Sequence, residues 1–314
     1  MVNYRPLGKT DLEVSEIGFG TWTLTSSRWG AFSDDQALDL IQKAYAAGIN
    51  YFDTSPTEAG GRGEALLGKA FGDRRELVVI STKAGRRDGR PDFSAPGIRA
   101  SVDASLARLG SSYIDVLQLH YPDIAAVTDA GVWQALEALQ AEGKIRYAGL
   151  ALGPGPGWLE EGRTAMRVRD LACIQIYYNL LEEEPGRNYF PVALEIGQGM
   201  TIRAPHAGGV LEAEPAGAVV FPSDGDLHPK DPAWIDVALR RAANLRWIHE
   251  GKGLSMSQAA LKFILSEETV SSVLPNIYRP EHLAEYGAVS DFPNFSQAEL
   301  AEIAEQFRKG FGVP

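Results

Sequence analysis

Eight short β-branched runs recur along the chain at roughly 35-residue spacing, each followed by a stretch of helical periodicity. The runs begin at Ile17, Asn50, Leu77, Tyr113, Lys144, Cys173, Met200 and Val270. Strand–helix–strand units of this length join parallel strands through right-handed crossovers. Eight of them in 314 residues favour a closed barrel over an open doubly wound sheet. The expected fold class is therefore α/β, a single (β/α)8 TIM barrel forming one domain over residues 1–314. Tyr4 to Val14 precedes the first barrel strand and reads as an N-terminal β-hairpin closing the barrel floor.

Helix signals fall between the strands. Ser33 caps a helix that runs to Ala47 and stops at Gly48, and Ser296 with Glu299 forms a capping box for the last helix. Ser257 reads as the cap of a helix over 258–266, and 63–71, 96–109, 131–142, 157–168 and 232–250 read as helical too. The segment from Glu212 to Pro232 lacks periodicity and reads as a long loop, and Gly153-Pro154-Gly155-Pro156-Gly157 as a rigid turn.

Charge and cysteine usage exclude several classes. Thirty Lys and Arg against 41 Asp and Glu give a formal charge of −11, with no long basic run, so neither nucleic acid nor an anionic membrane is an expected partner. Cys173 is the one cysteine, which rules out an internal disulfide and a cysteine-cluster metal site and suits the reducing cytoplasm. No apolar stretch approaches the ~18 residues of a membrane span, and no His/Asp/Glu spacing suggests a metal.

In such a barrel, chemistry belongs to the loops at the C-terminal ends of the strands. Three successive strand ends carry ionisable residues, Asp53, Lys83 and His120. Alone, each has an ordinary reading as a turn, a solvated lysine or a structural histidine. Together they can perturb one another's pKa values and steer a proton. The same triad can also be an Asp–Lys ion pair that only holds the barrel mouth.

The stretches YRPLGKTDLEVSEIGFGTW, GINYFDTSPTEAGGRGEALLGKAF, VVISTKAG, SLARLGSSYIDVLQLHYPD, LQAEGKIRYAGL, IQIYYNLL, IRAPHAGGVL and VLPNIYRPEHLAE carry a resemblance. In order and spacing, nearly the full chain resembles the aldo-keto reductase superfamily. The resemblance implies a (β/α)8 barrel that binds NADP(H) and interconverts a carbonyl and an alcohol on a small-molecule substrate. Three of the family's four catalytic positions are filled in kind by Asp53, Lys83 and His120, but Glu58 falls where the proton-donor tyrosine belongs.

The resemblance further implies that Thr21, Trp22, Gln175, Arg203, Pro205, Asn276, Tyr278, Arg279, His282 and Glu285 bind the cofactor, Gln175 and Arg203 at its nicotinamide and Asn276, Arg279, His282 and Glu285 near its adenosine phosphate. Trp22, Trp29 and Tyr121 are the expected substrate-pocket residues. Departures at Ala151 and Leu152, where Ser-Asn is common, and at Asn276 and His282, where basic residues are frequent, weaken the expected hold on NADP(H). Tyr286 replaces an asparagine, and His206 is open to either a ligand contact or a backbone hydrogen bond.

Glutamate starts from an ordinary pKa of ~4.3 against ~10 for tyrosine, so it gives a proton poorly at neutral pH and accepts one well. Three readings stay open. One is an oxidoreductase with an atypical site. Another is a redox-neutral enzyme (epimerase, isomerase or dehydratase) on a hydroxy-carbonyl or sugar-like substrate, with Glu58 as base. The third is a non-catalytic cofactor- or ligand-binding barrel. The sequence fixes neither the substrate nor the oligomeric state.

Overall fold

The computed structural model describes residues 2–87, 89–153, 155, 157–212 and 231–313. Two short strands, β1 (Tyr4–Pro6) and β2 (Glu13–Ser15), pair antiparallel as the N-terminal hairpin. The barrel strands begin with β3 (Phe19–Gly20), β4 (Tyr51–Asp53) and β5 (Val79–Ala84). A two-residue hairpin, β6 (Arg86–Arg87) with β7 (Arg90–Pro91), follows. The barrel resumes with β8 (Ile114–His120), β9 (Ile145–Ala151), β10 (Cys173–Tyr177), β11 (Gly199–Arg203) and β12 (Val270–Leu274).

Its eight strands are parallel, in the order β3-β4-β5-β8-β9-β10-β11-β12. The ring closes where Gly18 N–H donates to Val273 O and Val273 N–H to Glu16 O, both at 2.9 Å. This is the expected (β/α)8 barrel.

The helices are α1 (Trp22–Thr25), α2 (Asp34–Ala46), α3 (Arg62–Phe71), α4 (Ala95–Leu109), α5 (Ile124–Thr128), α6 (Ala130–Ala141) and α7 (Leu159–Val168). They continue with α8 (Gly186–Ile196), α9 (Pro232–Ala243), α10 (Met256–Leu265), α11 (Pro280–Gly287) and α12 (Gln297–Arg308).

Three differences from the sequence reading have plain causes. Ser255, not Ser257, caps α10, because only Ser255 has glutamine three residues on; Gln258 N–H donates to Ser255 Oγ and Ser255 N–H to Gln258 Oε1. α8 carries Pro191 in its interior, which masks its helical pattern. The helix expected over 232–250 ends at Ala243 and gives way to a 3-10 turn at Arg246–Ile248. Of the long loop after Glu212, residues 213–230 lie outside the described residues, as do Pro154 and Pro156 of the glycine–proline turn.

Two apolar clusters hold the layers. The larger fills the space between strands and helices, with Ile41, Leu67, Val102, Leu136 and Ile264 among its buried members. The smaller lies inside the barrel and joins the hairpin residues Leu7, Leu12 and Val14 to Tyr51, Val79, Val116 and Cys173. Burial pushes the Cys173 thiol up to about 12, so it packs as an inert apolar group. The hairpin turn docks so closely that a Cβ at Gly8 would lie 2.7 Å from Ala172 O and from Gly199 N; its φ of +58° also suits glycine.

Charged groups lock the floor. Buried Asp115 accepts from Arg75 Nη2 at 2.5 Å, from Ile80 N–H at 2.9 Å and from Arg146 Nη1 at 3.0 Å. Arg5 ties the hairpin to the far side by donating to Glu16, Val270 O and Leu265 O. Removing Asp115 would strand a buried guanidinium and an amide donor. Asp115→Ala is therefore expected to lower unfolding free energy by about 3 kcal/mol, read by urea denaturation.

Candidate active site

Asp53, Lys83 and His120 stand at the C-terminal ends of three neighbouring strands, as the sequence implies. β4 pairs with β5 and β5 with β8, with Asp53 opposite Ser81 and Lys83 opposite Gln118. Side chains alternate along a strand, so Ser81 and Lys83 project to the same side. Lys83 Nζ donates to Asp53 Oδ2 at 2.6 Å and to Thr54 O at 2.9 Å. The other carboxylate oxygen, Oδ1, accepts from Gln118 Nε2 at 3.2 Å and from Gln175 Nε2 at 3.0 Å. All four side chains are buried.

His120 ends β8 and is 4% exposed, with Nδ1 lacking any hydrogen-bond partner. Burial, reinforced by Lys83, Arg203 and Arg86, holds the imidazole well below its ordinary 6.5, so it is neutral at physiological pH. Its ring centroid lies 4.1 Å from that of Tyr121. Tyr121 adopts a left-handed φ of +55° and accepts a hydrogen bond from Arg203 Nη1 at 2.7 Å. The same guanidinium donates through Nη2 to Leu152 O at 2.7 Å. Gly153 leaves room for it: a Cβ there would fall 1.6 Å from Arg203 Nη2.

Glu58 follows β4 and precedes the 3-10 turn Ala59–Gly61. Its Oε2 lies 3.4 Å from Thr21 Oγ1, which lies 2.8 Å from Thr54 Oγ1. Because the carbonyl of Thr54 accepts from Lys83, a run of polar contacts extends from Glu58 to the Lys83–Asp53 pair. A barrel with an Asp–Lys pair, a neutral histidine and a nearby carboxylate at one mouth has the means to move a proton at a substrate oxygen.

The aldo/keto reductase family model matches residues 16–307. The chain belongs to the aldo/keto reductase family. It is 30% identical over 307 residues, 95% of this chain and 94% of the relative, to an uncharacterized oxidoreductase of Bacillus subtilis (strain 168). Identity to the L-galactose dehydrogenase of Arabidopsis thaliana is also 30%, over 96% of this chain and 93% of that one. The solved glycerol dehydrogenase of Gluconobacter oxydans superposes with a TM-score of 0.80 at 25% identity, covering 99% of this chain and 96% of that chain. The protein is thus an aldo/keto reductase family oxidoreductase.

The other predicted positions of this family member lie in three groups. Trp22 and Trp29 meet edge to face at 6.1 Å, and Trp29 lies 6.0 Å from Tyr278. Arg279 donates to His282 Nε2 at 3.0 Å, while His282 stacks on Tyr286 at 5.2 Å and Ser255 Oγ donates to Glu285 at 2.6 Å. Burial, and then Arg279, lower the pKa of His282, leaving it neutral beside the arginine. Pro205, Ala151 and Leu152 are buried, and Asn276 is half-buried. Gln175, expected at the nicotinamide, donates to Asp53 beside Gln118.

Sequence reasoning missed Gln118 and Arg86. Gln118 precedes His120 by two in the same strand, so strand alternation alone puts both on one face. Arg86 sits in RRDGR, which reads as a solvated turn.

His206 resolves to the structural reading. It is 1% exposed, with Nε2 3.2 Å from Ser257 O, and burial lowers its pKa to about 4. The unfolded chain, with its histidine near 6.5, binds more protons than the native state between pH 6.5 and about 4, so stability falls as pH drops through that window. His206→Gln should shrink the stability loss between pH 7 and pH 4.5 by about 2 kcal/mol, measured by urea melts at both pH values.

Proposed function

We propose that this protein interconverts an alcohol and a carbonyl on a small-molecule substrate with NADP(H), Glu58 standing in the place of the family's tyrosine and serving as base in the oxidising direction. The observation that carries this reading is the polar run from Glu58 through Thr21 and Thr54 to Lys83 and Asp53, beside a neutral His120. The names of two relatives, L-galactose dehydrogenase and glycerol dehydrogenase, favour the same direction.

Alcohol oxidation needs a group that takes the hydroxyl proton, and a carboxylate does so readily at neutral pH. Thr21 Oγ1, 3.4 Å from Glu58 Oε2, sets the carboxylate beside the Thr21–Thr54 pair. Asp53 already balances Lys83, so Glu58 adds an unmatched negative charge on the Thr21 side of that pair, which opposes an alkoxide-like oxygen there and disfavours reduction. His120, uncharged, holds the substrate oxygen by a hydrogen bond.

The donor set suits an anionic nucleotide. His282 Nδ1 and Arg203 Nε are buried without partners in the protein, and Arg279 is exposed and cationic. When bound, NADP(H) supplies the hydride acceptor or donor. Thr21, Trp22, Gln175, Arg203 and Pro205 would hold its nicotinamide end, and Asn276, Tyr278, Arg279, His282 and Glu285 its adenosine-phosphate end. Ala151 and Leu152 offer no side-chain donors, and Asn276 and His282 bring no charge, so the phosphate grip rests on Arg279.

Titration with NADPH and NADH, followed by nucleotide fluorescence, should show NADPH binding the more tightly; binding by neither overturns the reading. Glu58→Gln should lower the kcat of alcohol oxidation by about 100-fold or more, and Glu58→Tyr should gain reduction of simple aldehydes. Unchanged turnover in Glu58→Gln removes the base role. Deuterium exchange into a hydroxy-ketone without net redox turnover would establish the redox-neutral chemistry instead.

A further inference from the structure

The mouth beside His120 holds positive charge that no carboxylate among the described residues balances. Lys83 is balanced by Asp53. Arg86 and Arg203 are not balanced by any carboxylate among the described residues. Arg86 donates to Gly89 O at 2.6 Å, and Arg203 to Tyr121 Oη and Leu152 O at 2.7 Å each, all of them uncharged acceptors. The Nε of both arginines is buried and without a partner. Their guanidinium carbons lie 5.8 and 5.0 Å from the centroid of one ring, that of Tyr121, which packs on His120. Two cations therefore converge on the aromatic next to the histidine.

The surrounding hairpin extends the pattern. β6 and β7 also present Arg87 and Arg90, both exposed, at the rim after β5. Arg87 approaches Asp92 only at 4.0 Å. A half-buried guanidinium without a counter-ion carries a desolvation cost that an entering anion relieves. Its planar fork matches a carboxylate in particular, and an exposed arginine rim steers such a ligand inward.

We infer that the substrate carries a carboxylate, received by Arg86 on the Tyr121 side of the mouth with Arg203 adding charge from the end of β11. The inference rests on the oxidoreductase reading for the identity of the reacting group. The substrate's hydroxyl lies at His120 and Glu58 and its carboxylate at Arg86, so the substrate class is a hydroxycarboxylate with its matching oxocarboxylate. The carboxylate takes part in recognition only and in no bond change.

The test compares hydroxycarboxylates, from glycolate to 6-hydroxyhexanoate, with their methyl esters, in the wild type and in Arg86→Gln. The best acid should exceed its ester in kcat/KM by about tenfold or more, chiefly through KM, and added salt should narrow the gap. Arg86→Gln should bring the acid-to-ester ratio close to one. Equal use of acid and ester, or a ratio that Arg86→Gln leaves intact, overturns the inference.

Quenching of tryptophan fluorescence by the same acids, with and without NADPH, gives a reading that needs no turnover; Trp158 lies 6.4 Å from Tyr121. Saturable quenching by an acid that Arg86→Gln weakens, with no redox turnover, supports the carboxylate site and sinks the oxidoreductase reading. Neither turnover nor saturable quenching by any acid sinks the inference itself.

Discussion

The buried ion pair between Lys83 and Asp53 is the contact on which the barrel mouth depends. Two charges taken out of water are stable there only when every remaining lone pair and proton finds a partner. Asp53 draws further partners from Gln118 and Gln175, which come from β8 and β10, and Lys83 gives a second proton to the carbonyl of Thr54. One carboxylate therefore ties together β4, β5, β8 and β10. The bond to Thr54 O also fixes the backbone just after β4, and with it the Thr54–Thr21 contact against which Glu58 rests. The position of the candidate base is thus set from the ion pair outward.

The opposite end of the barrel has a different task. There Asp115 joins Arg75 and Arg146, and Arg5 spans from the hairpin to the ends of α10 and β12. These groups are largely paired with one another, Arg75 Nε being the buried exception. At the mouth more is left over: His120 Nδ1, Arg203 Nε and Gln118 Oε1 are buried and unpartnered. That asymmetry follows the division expected of the fold, in which the N-terminal face holds the structure together and the C-terminal face works.

What was legible in the sequence follows from how local each signal is. Strand runs and their ends need only a few neighbouring residues, so all eight strands and the placement of Asp53, Lys83 and His120 could be read directly. Glu58 could be singled out because its spacing from Asp53 and Gly61 is rigid in the family's pattern. α8 was hidden by Pro191, whose missing N–H counts against a helix unless tertiary packing supplies the stability. The role of Gln175 was hidden for another reason. Its amide reaches Asp53 across 122 positions of sequence, and no local pattern tells a glutamine which of two acceptors it will face.

Net charge shows how far a global quantity constrains a site. A charge of −11 argues against anionic partners at long range, yet surface fields are largely screened beyond ~8 Å at physiological ionic strength. Inside that distance the local groups decide. Around Tyr121 those groups are Arg86 and Arg203, while the acid nearest in sequence to the strand ends, Asp53, is already spent on Lys83. The same cations help keep His120 uncharged, since a protonated imidazole would add a further positive charge to a partly desolvated cluster. An anion bound beside Tyr121 would relax that constraint and raise the basicity of His120, so occupancy of the mouth and the protonation of its histidine are physically coupled.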